Sequence, residues 1–312
     1  MTELSNLILI SGKAGVELAL FILLPVMIIM LTIMRLLEAK GALDWLVAKI
    51  TPAFHYLGIP GIGVFALIQI IFVGFAAPVA TLAMMDKANI SRRHIAATLA
   101  MVLTCAQANV TFPMSAIGLN GPMVILVSIV SGLIAASLVY YVFARGLPEH
   151  DESDLKPQHP LAEDTKGVLS VINRAGKEAF NLSINAIPML VIALLLVNIL
   201  KAVGLVGMLE TSLVPLFSWL DLPSAALLPI ISKYIAGGTA MMGVSVDFMN
   251  QGLLSAEDMN RMAGFLIHPF DIVGVALFVA AGPRVASVLR PAIYGALIAI
   301  LVRTFIHYFL VF

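Results

Sequence analysis

Two long apolar stretches of this chain are each interrupted near the middle by glycine or proline, and these interruptions limit the fold more than any other feature. The first stretch runs from Pro60 to Met85 and breaks between Gly74 and Pro78. The second runs from Pro223 to Phe248 and breaks between Gly237 and Ala240. Proline removes a helical hydrogen bond, and glycine relaxes the backbone. Each stretch is therefore either one kinked spanning helix or two half-helices that form a re-entrant hairpin.

The composition places these stretches in a membrane. The 312 residues are 61% hydrophobic and 12% charged, and the mean hydropathy is +1.03. These values predict an all-α polytopic membrane protein. The formal net charge of zero gives no reason to expect nucleic-acid binding. No phosphate-binding loop, nucleophile elbow or metal-ligand motif is present, so we expect neither an enzyme nor a resident metal or cofactor.

The second half of the chain repeats the glycines and prolines of the first. Five pairs share a separation of 163 residues (for example 188 − 25): Pro25 and Pro188, Gly41 and Gly204, Pro52 and Pro215, Pro60 and Pro223, Gly74 and Gly237. Such a regular spacing indicates an internal duplication. We predict a first repeat at 1–145, a hydrophilic linker at 146–167 and a second repeat at 168–312.

Apolar segments of the first repeat predict spanning helices at Ala14–Leu37, Ile95–Ile117 and Met123–Phe143, because a bilayer requires roughly 20 residues. The segment Gly41–Leu57 is shorter and mixes charged with aromatic residues, which favours a helix lying in the membrane interface. In the second repeat, Val168–Phe180 predicts a short amphipathic lead-in to the next span.

The topology depends on whether the interrupted stretches cross the membrane, since cytoplasmic flanks are enriched in Lys and Arg. If both cross, the halves are parallel and the flanking cations divide 11 against 6. If both are re-entrant, the second half is inverted and the cations divide 13 against 4. The smaller group then comprises Lys13, Lys201, Arg261 and Arg303. The sharper division favours two inverted repeats, with both termini outside the cytoplasm of a bacterial-type inner membrane.

The order of a span, an interfacial helix, a broken hairpin and two spans, occurring twice, resembles the core of the concentrative nucleoside transporters. It is also similar to the nucleoside-recognition (Gate) domains of spore maturation proteins A and B and of ferrous-iron transport protein B. The local matches are Gly74–Val79, Asn89–His94 and the helix Thr104–Ser115.

The first hairpin tip departs from that family. Nucleoside transporters carry a Gly-Gln-Thr-Glu-Ala-Pro-like tip, whereas this chain has Phe75, Ala76 and Ala77 in place of Gln-Thr-Glu. The second half also has no Asn-Glu-Phe-like counterpart. The nucleoside ligands implied by the resemblance therefore do not carry over.

Polar residues inside the apolar segments form the predicted binding site. Thr104 and Gln107 correspond to His268 and Asp271 at an offset of 164 (271 − 107), and i, i+3 spacing places each pair on one helix face. An ionisable group inside a span is a functional candidate, with a structural hydrogen bond or ion pair as the alternative. The predicted site is Gly74, Gln107, Asn109, Lys233, Gly237, Thr239, His268 and Asp271.

The role of Lys233 has three alternatives: it binds an anionic substrate group, pairs with Asp271, or extends to the interface. Asn181 and Asn185 are interpreted as packing or interface groups.

These features predict a secondary transporter of a small polar solute, nucleoside-like or an organic ion, working by alternating access. The expected symport is coupled to Na⁺ or H⁺, with Asp271 or His268 carrying a proton and hairpin carbonyls binding Na⁺. The alternative is a non-transporting membrane component that acts through a partner protein. The expected partners are the solute and the lipid bilayer, and a homo-oligomer is compatible with the sequence.

Overall fold

The computed structural model has an all-α fold and describes residues 2–88, 90–148, 167–204, 217–218 and 221–311. Most of the predicted linker, residues 149–166, lies outside the described residues, and so does Pro215.

The first half contains eight helices among the described residues. They are α1 (Thr2–Glu17), continued through a π-helical segment Leu18–Leu23 into α2 (Leu24–Ala39), then α3 (Ala42–His55), α4 (Gly61–Phe72), α5 (Pro78–Lys87), α6 (Arg92–Thr104), α7 (Ala108–Ser115) and α8 (Gly121–Leu138), which a π-helical segment Val139–Phe143 extends.

The described part of the second half contains seven α-helices. They are α9 (Val168–Ala202), α10 (Leu227–Ala236, preceded by a 3₁₀ turn at Ser224–Ala226), α11 (Gly238–Asn250), α12 (Ala256–Leu266), α13 (Ile272–Val279), α14 (Pro283–Ser287) and α15 (Leu289–Phe305), which a π-helical segment Ile306–Val311 extends.

The protein is a multi-pass membrane protein. Within the described residues, five helical stretches are long and apolar enough to cross a bilayer: Leu4–Ala39, Arg92–Ser115, Gly121–Phe143, Val168–Leu200 and Leu289–Phe309. The predicted lead-in is continuous with the span that follows it, because no proline interrupts α9 before Pro188.

The helix that follows the first hairpin is broken, which corrects the prediction of a continuous Ile95–Ile117 helix. Cys105 and Gln107 have extended backbone, with ψ of 151° and 127°, between α6 and α7. The N–H of Ala106 donates to Ser128 Oγ at 2.5 Å, so a side chain of α8 replaces a lost helical bond. Thr104 and Gln107 therefore do not share one helix face.

The corresponding helix of the second half is broken as well. The helix α12 ends at Leu266 and α13 begins at Ile272, and their lengths of 11 and 8 residues are each too short to span a membrane. Pro269 disfavours a helical conformation at His268 and so ends α12. Gln107 and Asp271 each occupy the N-cap position of the helix after the break.

Both interrupted stretches fold back as helical hairpins. Thr81 of α5 donates to Gln69 of α4 at 2.6 Å. Twelve residues span about 18 Å along a continuous helix, so α5 must double back on α4. In the second stretch, α10 and α11 pack side by side around Gly237. The first arms, of 12 and 10 residues, are too short to cross a bilayer alone.

The long helix α1–α2 and α9 lie antiparallel. Asn198 Nδ2 donates to Ser11 Oγ at 3.0 Å, near the end of α9 and inside α1. Arg35 forms an ion pair with Glu178 at 2.9 Å, near the end of α2 and the start of α9. The beginning of each long helix therefore lies beside the end of the other.

The turn after each broken helix is held by the other half of the chain. The N–H of Asn120 donates to Asn260 Oδ1 at 2.7 Å, and Asn260 Nδ2 donates to the carbonyl of Gly118 at 2.9 Å. The N–H of Arg284 donates to Asp86 Oδ1 at 2.8 Å. Each half thus fixes the geometry of its counterpart.

The structure places Arg303 inside the core, which corrects its prediction as a membrane-flanking cation. The residue lies on α15 and is fully buried. Its Nη1 donates to the carbonyls of Thr104, at 2.8 Å, and Ile267, at 2.7 Å. Arg303 therefore gives no information about membrane topology.

Candidate functional site

A cavity of about 450 Å³ lies where the two hairpin tips, the two helix breaks and the long helices α2 and α9 meet. This volume is within the usual range for small-molecule sites, about 300–1,000 Å³. Its lining includes six of the eight predicted site residues: Gly74, Gln107, Asn109, Gly237, Thr239 and Asp271. Apolar lining comes from residues such as Leu23, Met27 and Leu182.

Asn109 connects the two hairpin tips. Its Oδ1 accepts a hydrogen bond from the N–H of Phe75 at 3.3 Å, and its Nδ2 donates to Thr239 Oγ1 at 3.3 Å. The oxygen and nitrogen of the amide are assigned from this network. Asn109 lies in the first turn of α7, just after the break at Gln107. One amide therefore links both tips to a broken helix.

Gln107 contacts the second half of the chain. Its Nε2 donates to the carbonyl of His268 at 3.4 Å, which joins the two helix breaks. Gly238 lies against the same amide, since a Cβ at this position would overlap the Gln107 side chain. A side chain at position 238 would therefore displace the Gln107 amide.

Asp271 combines three roles at the second break. It lines the cavity, it forms a buried ion pair with Lys233 of α10, and its Oδ1 accepts a hydrogen bond from the N–H of Gly274 at 2.8 Å. The last contact caps α13 at its N-terminus, where a carboxylate is favoured. These contacts hold the carboxylate at the edge of the cavity.

The two remaining predicted residues lie behind the cavity wall. Lys233 is fully buried and pairs with Asp271, and it is not part of the lining. His268 is also fully buried, and its Nδ1 accepts a hydrogen bond from the N–H of Phe270 at 3.2 Å. Solute in the cavity would meet the carboxylate of Asp271 before either of these residues.

The cavity also receives two polar residues from α9 that were not predicted as site residues. Glu178 and Asn185 both line it. Glu178 accepts hydrogen bonds from Arg35 Nε at 3.1 Å and Nη2 at 2.9 Å. Asn185, interpreted from sequence as a packing group, was recognisable only as a polar residue in an apolar run. Glu178 lies in a polar segment and carried no such signal.

The charges of the site have a consistent arrangement. Among the described residues, the lining includes two carboxylates, Asp271 and Glu178, and no Lys or Arg. The carboxylates are paired with Lys233, which is buried, and with Arg35. The surface offered to a solute therefore consists of carboxylate, amide and hydroxyl groups set in an apolar wall.

No protein-family model matches the sequence, and no curated protein matches it either. Solved structures do match. A variant of CNTnw, a concentrative nucleoside transporter, in an outward-facing state superposes with a TM-score of 0.69 at 17% identity, covering 99% of this chain and 84% of that chain. The chain shares the CNTnw fold.

The similarity extends to other conformations of CNTnw. Its inward-facing substrate-bound state gives a TM-score of 0.65 at 16% identity, with the same coverage. A variant in an intermediate state gives 0.59 at 17% identity, covering 99% of this chain and 85% of that one. The fold is thus that of a protein seen in outward-facing, intermediate and inward-facing states.

Proposed function

We propose that this protein is a secondary transporter that moves a small neutral or cationic polar solute by alternating access. The observation that carries the proposal is the cavity between the hairpin tips, with Gln107, Asn109, Thr239 and Asp271 on its wall. Broken helices with a site between repeats are a recurrent architecture of such transporters. The CNTnw fold supports the same conclusion, and a nucleoside-like solute fits a cavity of mixed apolar and amide lining.

The proposal includes two inverted repeats with re-entrant hairpins. The contacts Arg35–Glu178, Asp86–Arg284 and Asn120–Asn260 each join two chain segments. The inverted arrangement puts the members of each pair on one side of the membrane, whereas the parallel arrangement puts them on opposite sides. The antiparallel packing of α1–α2 with α9 supports the inverted arrangement too.

The charge arrangement bears on the class of solute. An anionic solute would meet Asp271 and Glu178 without a cation on the cavity surface, and like charges at this depth are costly. A neutral solute would use the amides of Gln107 and Asn109, and a cationic one would use the carboxylates. The proposed role of Lys233 is therefore to hold Asp271 rather than to bind an anion.

A non-transporting component that works through a partner protein is the rival function. Such a protein needs no solute site, so its buried polar groups can close into mutual pairs. Here a cavity of about 450 Å³ remains between the hairpin tips, with Asn185 on its wall, and this favours transport.

The experiment is a thermal-shift panel on purified protein, followed by uptake into proteoliposomes. The panel contains nucleosides, nucleobases, organic cations and organic anions, because a ligand that binds only the folded state raises its apparent stability. We expect neutral or cationic compounds to raise the melting temperature and anions to leave it unchanged.

Two asparagine variants make the experiment specific to the cavity. Asn109→Ala removes the link between the tips and should weaken solute binding and uptake at least several-fold. Asn173→Ala, on the exposed surface of α9 outside the cavity, should leave both unchanged. Equal uptake by both variants, or stabilisation by anions alone, contradicts the proposal.

A further inference from the structure

Arg303 is a buried cation whose surroundings differ from those of Lys233, which is also buried in the core. Lys233 has Asp271 as its partner. The acceptors of Arg303 among the described residues are two backbone carbonyls, those of Thr104 and Ile267. A buried charge without a compensating partner is strongly disfavoured, so the surroundings of Arg303 must supply negative potential in another way.

Two helix C-termini meet at Arg303 and supply that potential. Thr104 is the last residue of α6, and Ile267 is the C-cap of α12. Each helix C-terminus carries roughly half a negative elementary charge, and its last carbonyls lack intrahelical partners. Together the partial charges of the two ends amount to about one negative charge. The guanidinium supplies one positive charge and donates hydrogen bonds to a carbonyl at each end.

The position of Arg303 is set by a close contact between α12 and α15. A Cβ at Gly264 would lie 2.6 Å from the carbonyl oxygen of Arg303 and 2.7 Å from Thr304 Cα. The two helix backbones thus touch within the last turn of α12, and the side chain of Arg303 reaches the break. The contact between α12 and α15 therefore fixes where the guanidinium of Arg303 lies.

Two nitrogen atoms of the Arg303 guanidinium do not take part in these hydrogen bonds. Its Nε and Nη2 are buried and make no hydrogen bond to the described residues. Buried donors of this kind are usually satisfied by ordered water.

In transporters with broken helices, unwound carbonyls and half-helix C-terminal ends coordinate the driving cation. In this chain Arg303 occupies both of these ends, and Lys233 is paired with the carboxylate of Asp271 at the second break. We propose that Arg303 is a built-in cation that takes the place of a bound Na⁺ at the joined ends of α6 and α12. Na⁺ therefore need not bind at these two helix ends. This inference rests on the proposed function only because it assigns the ends to a transport site.

The test uses the purified protein without any solute and NaCl as the probe. Melting temperatures are compared in NaCl and in choline chloride at equal ionic strength. A specific Na⁺ site would raise the melting temperature progressively with NaCl. We expect the same melting temperature in both salts, and a Na⁺-specific, concentration-dependent rise in the unaltered protein overturns the proposal.

Variants of Arg303 sharpen the result. Arg303→Met leaves the carbonyls at the two helix ends without their cation, so the melting temperature of this variant should fall. NaCl or a low concentration of guanidinium chloride should partly restore it, whereas choline chloride should not. Arg290→Met, on the exposed start of the same helix, should show neither effect. An Arg303→Met protein that folds without any response to these cations overturns the proposal.

The comparison of NaCl with choline chloride in the unaltered protein tests the built-in cation even when Arg303→Met does not fold. Its result does not depend on the result of the solute panel. A silent panel argues against transport and leaves the built-in cation intact, whereas Na⁺ stabilisation removes the built-in cation and leaves transport standing.

Discussion

Single residues in the core act mainly by joining the two halves of the chain. Asn109 links both hairpin tips, Gln107 links both helix breaks, and Arg303 binds the ends of α6 and α12. Each of these residues satisfies backbone or side-chain groups that would otherwise be unpaired in a membrane interior, where an unsatisfied polar group costs several kcal/mol.

Asp271→Asn should destabilise the protein strongly. Asparagine keeps the N-cap of α13, but it leaves the ammonium of Lys233 buried without its partner. Breaking one side of a buried ion pair costs about 3–5 kcal/mol. Asp258→Asn changes the capping box of α12 in the same chemical way without orphaning a cation, and should cost about 1 kcal/mol or less.

Unfolding of the purified variants in detergent measures this difference, and the double variant Lys233→Met/Asp271→Asn should recover part of the loss. Equal stability of Asp271→Asn and Asp258→Asn would mean that the buried pair does not stabilise the fold.

Gly237→Ala should reduce both stability and solute binding. Gly237 has φ of +88°, and a Cβ would lie 3.7 Å from Asp271 Oδ1, at the cavity. Gly252 also has positive φ, +71°, but its Cβ would meet nothing within 4 Å. Both alanine variants should lose on the order of 1–2 kcal/mol.

Only Gly237→Ala should also lower the stabilisation that a bound solute provides in the thermal-shift panel. If Gly252→Ala lowers it equally, the effect is one of general stability and not of the second hairpin tip.

Interruptions of the helical backbone determine where several helices of this protein begin and end. The two hairpins turn where glycine or proline breaks an apolar stretch, and the two helices that follow them break at the level of the cavity. Short helices bring their unpaired ends into the core, so close helix contacts must seal the remaining space. Gly264 marks one of these contacts at the joined helix ends.

Gly264→Ala should push α12 and α15 apart. Its Cβ would meet backbone atoms of Arg303 and Thr304, which cannot rotate away, and overpacking of this kind costs about 1–3 kcal/mol. Gly12→Ala is a matched change in α1 with open space around it, and should be neutral or stabilise by up to about 1 kcal/mol. Melting temperatures of the two variants report the difference, and a harmless Gly264→Ala would show that the helices have room to separate.

The whole molecule is held together by contacts between its halves. Arg35 meets Glu178, Asp86 meets Arg284, Asn198 meets Ser11, and Asn260 meets Asn120. These contacts bear on the membrane topology, because the inverted and the parallel arrangement of the repeats place their residues on different sides of the membrane.

Labelling of single cysteines by a membrane-impermeant reagent should divide four exposed positions into two groups. In a Cys105→Ala background, Lys13→Cys and Gln251→Cys should react in intact cells, whereas Arg92→Cys and Lys177→Cys should react only after permeabilisation. A parallel arrangement puts all four on the same side of the membrane. Uniform labelling would therefore exclude the inverted repeats.

Much of the site could be predicted from the sequence because its signals are local or repeated. Gly74 and Gly237 break apolar stretches, and Asp271 is an ionisable group in an apolar segment, so each is visible without knowledge of distant residues. Six of the predicted residues line the cavity. Glu178 and Arg303 could not be placed in this way, because one lies in a polar segment and the other near the end of a span.

The sequence by itself determined the all-α membrane fold and the positions of the hairpin tips, since long apolar runs and glycine or proline act through the local backbone. Only the tertiary structure decided that the chain breaks between Thr104 and Ala108, where neither glycine nor proline is present. That break exists because Ser128 and Arg303, from distant helices, satisfy the freed backbone groups. Tertiary contacts also decided that Asp271 faces the cavity and Lys233 lies behind it, because burial of their charges is tolerated only as a pair.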